Sequence, residues 1–390
     1  MTMQPIKDRY DVVIVGARCA GGATAMLLAA SGLKVLAVDK SPLGTDTLST
    51  HALMRPAVLL LHRWGLVERL RREGTPPIRK TSFIYADDGR TNAITVDIKP
   101  RLGVDALYAP RRTVLDRVLA DAASEAGAEV RHGVQLLDLL RTERGRVAGV
   151  QLRDESGHTR EVRARLVIGA DGRRSTVARL AGATPYVLGR HTTSCAYGYF
   201  QNLPVDGNRW YFRPGMGAGT IPTNGGETCV FASVPRAFAS GPAADRARTF
   251  RQVLEQSAPD VAGALADARP VGKLHFFPGL RGYLRQPWGD GWALVGDAGY
   301  MSDPITAHGI TNALRDSELL ARSIIEGNDL IEYQTARDDL SLQFFEISDR
   351  VASLDWDIPS VQHYHKMMSQ EMNREEEALV ALAHASATAA

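Results

Sequence analysis

Small residues and charged side chains fall together at several points of this chain, and their spacing speaks to phosphate and ribose recognition. In the stretch VVIVGARCAGGATAMLLAASGLKVLAVDK, Gly16-Ala17-Arg18-Cys19-Ala20-Gly21 follows a β-branched run at 12–15. A glycine after such a strand permits a tight turn, and small residues such as Ala20 and Gly21 let a helix pack close on the strand. The turn then offers backbone N–H groups to a pyrophosphate. The usual spacing is G-x-G-x-x-G, and Arg18 stands at its middle glycine. That side chain can turn outward, or bond a phosphate oxygen as a fork donor. Asp39 lies 18 residues beyond Gly21 (39 − 21), with Lys40 beside it. An acidic side chain there can bond the ribose hydroxyls of an adenosine. Taken alone, the stretch could also be an ordinary βαβ unit with a glycine turn.

The elements that would carry these residues follow from local pattern. An Ala/Leu-rich helix is expected over 21–31, ended by Gly32, and a second strand over 34–38. In YAPRRTVLDRVLADAASEAG, Val114, Leu115, Val118, Leu119 and Ala122 recur at helical spacing. Arg111 and Arg112 open that helix, where cations oppose the dipole and need another partner, either a phosphate or solvent. A buried strand over 166–169 runs into Asp171-Gly172, and another over 293–295 ends in Gly296-Asp297. A loop with Pro304 follows the latter, and Gly309-Ile310 opens a long helix.

With these three strand ends in this order, the chain resembles the FAD-dependent monooxygenases of the para-hydroxybenzoate hydroxylase class (group A flavoprotein monooxygenases) over residues 9 to about 325. The GARCAG turn and the segment DTLSTHALMRPAVLLLHRWG resemble a subgroup that includes geranylgeranyl-reductase-like proteins and relatives of flavin halogenases. The resemblance implies an α/β fold: a Rossmann-like FAD-binding domain with an inserted, mostly antiparallel β-sheet substrate domain and C-terminal helices. It also implies that Gly16, Ala17, Arg18, Ala20, Gly21, Asp39 and Lys40 bind the ADP half of FAD, with Arg111 and Arg112 near the phosphate or ribityl region. By the same resemblance Asp171 and Gly172 lie where flavin and nicotinamide binding overlap. Gly296 and Asp297 reach the ribityl chain, and Pro304, Gly309 and Ile310 lie along the flavin ring. A helix start at that ring has a physical reason, since a helix N-terminus stabilises the negative charge of reduced flavin. Departures from the family pattern are Gly296-Asp297-Ala298-Gly299-Tyr300, Ala307-His308-Gly309 and the absence of the halogenase signature G-W-x-W-x-I-P.

Residues 76–107 and 183–285 read differently from the rest. Alternating and aromatic runs separated by Pro, Gly and Asn turns suggest an antiparallel sheet entered twice by the chain, with a hairpin at Asp87-Asp88-Gly89. The expected organisation is a FAD-binding domain of 1–75, 108–182 and 286–325, a substrate-binding domain of 76–107 and 183–285, and a C-terminal helical segment of 326–390. Tyr197, Tyr199, Trp210, Tyr211, Phe212 and Met216 are candidates to line the substrate pocket, or are sheet core. The C-terminal segment could cap the pocket or pair subunits.

The implied reaction is reduction of the flavin by NAD(P)H, addition of O2 at C4a, and hydroxylation of an aromatic substrate by the resulting hydroperoxide, with no metal. A reductase acting on C=C bonds and a non-catalytic FAD-binding protein are the alternatives. A base for a phenolic substrate would be His51, with Arg55 as an anchor for substrate or pyrophosphate; His308 is a second candidate. Either histidine could instead be structural. No second glycine fingerprint follows Asp39, so nicotinamide would dock transiently or a separate reductase would supply reduced flavin. Bulk properties bound the partners. The chain has 390 residues, 44% apolar and 23% charged, and a net charge of +2 without a basic block, which argues against nucleic acid. Three scattered cysteines and the lack of a signal-peptide core or a long apolar run fit a cytoplasmic monomer or homodimer off the membrane.

Overall fold

The computed structural model describes residues 6–87, 89–236 and 243–389. Strand β1 (Arg9–Val15) is followed at the glycine turn by helix α1 (Cys19–Ala30), β2 (Val35–Asp39), α2 (Arg55–Arg63) and α3 (Val67–Arg72). The hairpin β3 (Lys80–Asp87) and β4 (Arg90–Asp97) comes next, its turn including residue 88, which lies outside the described residues. Helix α4 (Arg112–Glu125) leads to β5 (Glu129–His132), β6 (Gln135–Arg141), β7 (Val147–Arg153), β8 (Thr159–Gly169) and α5 (Thr176–Ala181). Then come β9 (Pro185–Leu188), β10 (Thr193–Gln201), β11 (Asn208–Arg213), β12 (Met216–Pro222) and β13 (Glu227–Pro235). Helices α6 (Ala243–Ser257) and α7 (Pro259–Ala264) precede β14 (Arg269–Phe277), β15 (Tyr283–Arg285), β16 (Trp288–Gly289), β17 (Trp292–Leu294) and β18 (Tyr300–Met301). Three long helices close the chain: α8 (Gly309–Ile325), α9 (Leu330–Ala352) and α10 (Ile358–Ala389).

The first sheet has the order β16-β17-β8-β1-β2-β5, and its central strands β17, β8, β1, β2 and β5 pair in parallel. Parallel strands covered on both faces read as near-continuous apolar runs, as VVIV and VLAVD do. The topology brings the ends of β1, β8 and β17 side by side, with Val15 opposite Gly169 and Gly169 opposite Leu294. The three glycine-and-aspartate turns therefore emerge at one edge. Gly16 has φ +102°, and a Cβ there would lie 2.3 Å from the Ala170 carbonyl oxygen. At Gly21 a Cβ would lie 1.7 Å from the Gly16 carbonyl oxygen, so both glycines are required by close approach.

The second sheet has the order β14-β10-β13-β12-β11-β3-β4, antiparallel except where β11 meets β3. Its register sets rows of side chains across one face. One row is Tyr85, Phe212, Gly217, Ser233, Cys195 and Phe277; the next is Phe83, Trp210, Gly219, Phe231, Tyr197 and His275. Most of these side chains join the core shared with α1, α8 and α10. Because side chains alternate across a strand, Ala196, Tyr211, Ala218, Val230 and Ala232 face the other way and pack on α6 and α7. A small third sheet, β18-β15-β9, lies alongside.

Candidate active site

Two helices begin at the shared sheet edge without caps. Arg18 is the N-cap of α1 and His308 that of α8, and neither side chain bonds its helix. The first N–H groups of a helix have no intrahelical acceptor. Cys19, Ala20 and Gly21 are buried, as are Ile310 and Thr311, so these donors sit away from water. Such N-termini hold anions. The helices meet through small residues: a Cβ on Gly296 would lie 2.9 Å from the Ala20 Cβ, and Ser317 Oγ donates to the Ala20 carbonyl at 3.0 Å.

Charged groups surround this junction. Arg112 donates from Nε and Nη2 to Asp116 at 3.1 and 2.9 Å, and the Cys19 thiol also donates to Asp116. Burial pushes the Asp297 carboxyl up, while the nearby Arg173 and Arg112 pull it back. The Arg18 carbonyl accepts from the Gly22 N–H at 2.6 Å, while its side chain makes no hydrogen bond or ion pair among the described residues and is free to meet a phosphate or solvent. Asp39 is buried and accepts from the Ala17 N–H at 3.1 Å and the Ser41 N–H at 2.8 Å, with Lys40 exposed beside it. Asp171 accepts from Ser175 Oγ and from the N–H groups of Thr176 and Val177, so its carboxylate holds the start of α5 and fixes the turn at Gly172, whose φ is +77°.

The loop before α8 is anchored rather than loose. Asp303 accepts from the Thr193 N–H and Oγ at 2.8 and 2.6 Å and from the Ile305 N–H at 3.0 Å, tying it to the start of β10. Burial pushes this carboxyl up to about 6 in spite of those donors. Pro304 and Gly309 are exposed while Ile305 and Thr306 between them are buried. One turn into α8, Asn312 has both amide atoms buried without a partner among the described residues. A buried amide left unbonded costs about 1–3 kcal/mol, and a heterocycle with adjacent donor and acceptor edges would satisfy both atoms. The sequence reading passed over Asn312, although a lone amide in an apolar helix near its N-terminus was visible there.

The substrate-side candidates divide. His51 is buried with φ +68°, and its Nε2 bonds the Tyr199 hydroxyl. The Tyr197 hydroxyl accepts from the Ser49 N–H at 3.1 Å, and its ring stacks on His275 at 4.9 Å. Burial, then the Arg111 charge, hold the His51 imidazole down at about 3. His51, Tyr197 and Tyr199 therefore come together.

Five of the expected site residues make contacts with other parts of the protein. Arg111 lies 3.5 Å over the Tyr199 ring and is bonded to Glu227 at 2.6 Å and Asp46 at 2.9 Å, so its helix-start charge is met by carboxylates and it braces the tyrosine. Arg55 donates to the carbonyls of Lys99 and Val104 and holds that loop. Tyr211 bonds Asp260 at 2.8 Å, and Met216 packs with it on the α6 face, opposite the face that carries Tyr197 and Tyr199. The His308 side chain turns away to Glu375 of α10 at 2.9 Å and stacks against Phe344; only its backbone belongs to the start of α8. Arg315 continues that network to Glu375, Asp316 and Ser341.

Uncapped helix starts, a buried carboxylate at the second strand and an orphaned amide fit a group with two phosphates, a ribose and a heteroaromatic ring. The fold and site define an FAD-dependent oxidoreductase. Residues 9–340 match the family model described as FAD binding domain, and the chain belongs to that family. It is 29% identical over 354 residues to digeranylgeranylglycerophospholipid reductase 2 of Methanococcoides burtonii, covering 86% of this chain and 80% of the relative. The reductase of the same name from Methanopyrus kandleri is 30% identical over 317 residues, covering 78% of this chain and 74% of the relative. Among solved structures, the flavin-dependent brominase Bmp2 superposes with a TM-score of 0.79 at 19% identity, covering 94% of this chain and 93% of its own. Halogenase PltM, in complex with phloroglucinol and FAD, superposes with a TM-score of 0.72 at 17% identity, covering 88% and 76%. No helix among the described residues is long and apolar enough to cross a membrane.

The His308–Glu375–Arg315 network has a measurable weight. Glu375→Ala leaves buried cationic and polar groups unpaired and should lower unfolding free energy by about 3–5 kcal/mol, whereas Glu375→Gln, which keeps an acceptor, should lose less. Denaturant midpoints of the three proteins check this, and equal midpoints would show that the pairing contributes nothing.

Proposed function

We propose that the protein is a monooxygenase that uses FAD, NAD(P)H and O2 to hydroxylate a small or medium aromatic substrate. The observation that supports this reading is the His51–Tyr199 pair, whose remaining ring nitrogen, Nδ1, is buried and has no partner among the described residues. A substrate hydroxyl placed there completes its hydrogen bonding. FAD, when bound, supplies the electron transfer and oxygen activation. Arg112, the α1 start, Asp39 and the α8 start hold the cofactor, with Asn312 at the ring edge. Tyr197, stacked on His275, and Tyr199, covered by Arg111, hold His51 in place from behind. With Nε2–H donated to Tyr199, His51 Nδ1 accepts the bond from a phenol. Its depressed basicity means that it orients the hydroxyl without storing the proton.

A second reading is reduction of C=C bonds, favoured by the relatives named as digeranylgeranylglycerophospholipid reductases. A long isoprenoid needs a continuous aliphatic channel, whereas the inner sheet face sets tyrosine hydroxyls and histidines among aromatic rings. Turnover of a phenol panel with NADH or NADPH separates the two. Oxygen consumption with a product that gains an oxygen atom supports hydroxylation. Anaerobic turnover of an isoprenoid alkene, with no phenol oxidised in air, would replace this reading with the second.

The pH profile carries the His51 role. Because its folded value of about 3 lies below the ordinary 6.5, the imidazole stays neutral as pH falls from 8 to about 5. The unfolded chain takes the proton first, so the fold loses this histidine's contribution only as pH drops below 6.5 towards 3. His51→Gln should raise KM about tenfold (~1.4 kcal/mol) and leave the shape of kcat/KM against pH unaltered over that range. An acid limb near 6.5 that disappears in His51→Gln would contradict it.

A further inference from the structure

The C-terminal helix brings a second histidine to the inner sheet face. His365 of α10 accepts or donates through Nδ1 to the Tyr85 hydroxyl at 2.8 Å. Its ring lies 4.3 Å from Phe212, 5.8 Å from Tyr85 and 5.9 Å from Phe83. Phe212 stacks on Tyr85 at 5.6 Å and meets Trp356 edge-on at 6.4 Å. The imidazole is thus flanked by aromatic rings from β3 and β11, with Trp356, from the segment between α9 and α10, packed on Phe212. Its second nitrogen, Nε2, has no hydrogen bond among the described residues, although the side chain is only half-buried.

This cage adjoins the loop that leads into α8. Phe212 pairs with Gly217 on the neighbouring strand. A Cβ on Gly217 would lie 3.8 Å from Ile305 Cδ1 and touch little else, so β12 passes over the Pro304–Thr306 turn at ordinary contact distance. The path from the flavin-side loop to His365 is therefore Ile305, Gly217, Phe212, His365. On this face Gly217 and Gly219 carry no side chain, and the Phe231 ring covers Gly219. Burial holds His365 down at about 4, so at neutral pH it is an uncharged imidazole able to give or take one hydrogen bond. An aromatic enclosure with one convergent polar atom is the composition of a small-molecule pocket.

We propose that His365, oriented by Tyr85 and walled by Phe212 and Phe83, is a specificity-determining residue that binds a hydroxyl or carbonyl on the part of the aromatic substrate remote from the reacting carbon. The proposal rests on the aromatic-substrate reading above and deepens it. Charged groups are disfavoured in the cage, so the group bound is neutral. Tyr85 acts through His365 as a positioning residue, by fixing the ring tautomer and its angle.

The test uses the FAD-loaded protein and two probes that differ by one hydroxyl, 2-naphthol and 2,6-dihydroxynaphthalene, with dissociation constants read from perturbation of the flavin absorbance. In the wild type the dihydroxy compound should bind at least tenfold more tightly. In His365→Phe, which keeps an aromatic ring and removes the nitrogen, that preference should vanish. Tyr85→Phe should reduce it part-way, and His365→Asn, which restores a polar group, should recover some of it. FAD content and thermal midpoint report folding for each variant. An equal preference in wild type and His365→Phe, or no preference in the wild type, overturns the subsite while leaving the aromatic reading in place. Failure of both naphthols to bind the wild type overturns both.

Discussion

Everything at the candidate site depends on two helix N-termini being forced to the same place. α1 and α8 both begin with unpaired N–H groups beside the ends of β1 and β17, and their positive ends repel unless an anion or dipole lies between them. Small residues make the convergence possible, since Ala20, Gly296 and Ala313 leave no room for larger side chains where the helices cross. Gly21 does the same between α1 and the turn after β1, and Gly16 between that turn and the backbone after β8. The Asp303 contacts to Thr193 then bring the second sheet to the α8 loop, so the cofactor contacts and the substrate face are fixed by one set of close approaches.

The second sheet turns that anchor into a pocket wall. Its register places Tyr197 and His275 in one row and Phe212 and Tyr85 in another, while helices α6 and α7 cover the reverse face. The C-terminal helix contributes twice. Glu375 ties it to His308 behind the α8 start, and His365 reaches the sheet near its far edge. A segment beyond the matched FAD-binding region thus touches both the start of α8 and the inner face of the second sheet.

Much of this was legible in the sequence where the determining contacts are local. The glycine turn, Asp39 and the Gly296-Asp297 strand end follow from steric and dipolar rules that operate within one βαβ unit. Tyr197 and Tyr199 could be nominated because aromatic strand residues commonly face a core. Tyr211 and Met216 looked equivalent, since a period of two separates the faces of a strand without saying which one meets the flavin. Long-range pairing decided the rest. Arg111 finds Glu227 and Asp46, His308 finds Glu375, and Arg55 finds two carbonyls, none of them predictable from neighbours in the chain. His365 was hidden for the same reason, because its role comes from the packing of α10 on β3 and β11.

The central claim is that the two helix starts, Arg112 and Asp39 together bind a molecule with a pyrophosphate between an adenosine and a flavin. Calorimetric titration of the apoprotein with FAD and with FMN, which lacks the adenosine half and the second phosphate, tests it most directly. The account predicts that FAD binds at least a hundredfold more tightly, a difference of about 2.7 kcal/mol, and that Asp39→Ala narrows the gap. Equal affinity for FMN and FAD would contradict it.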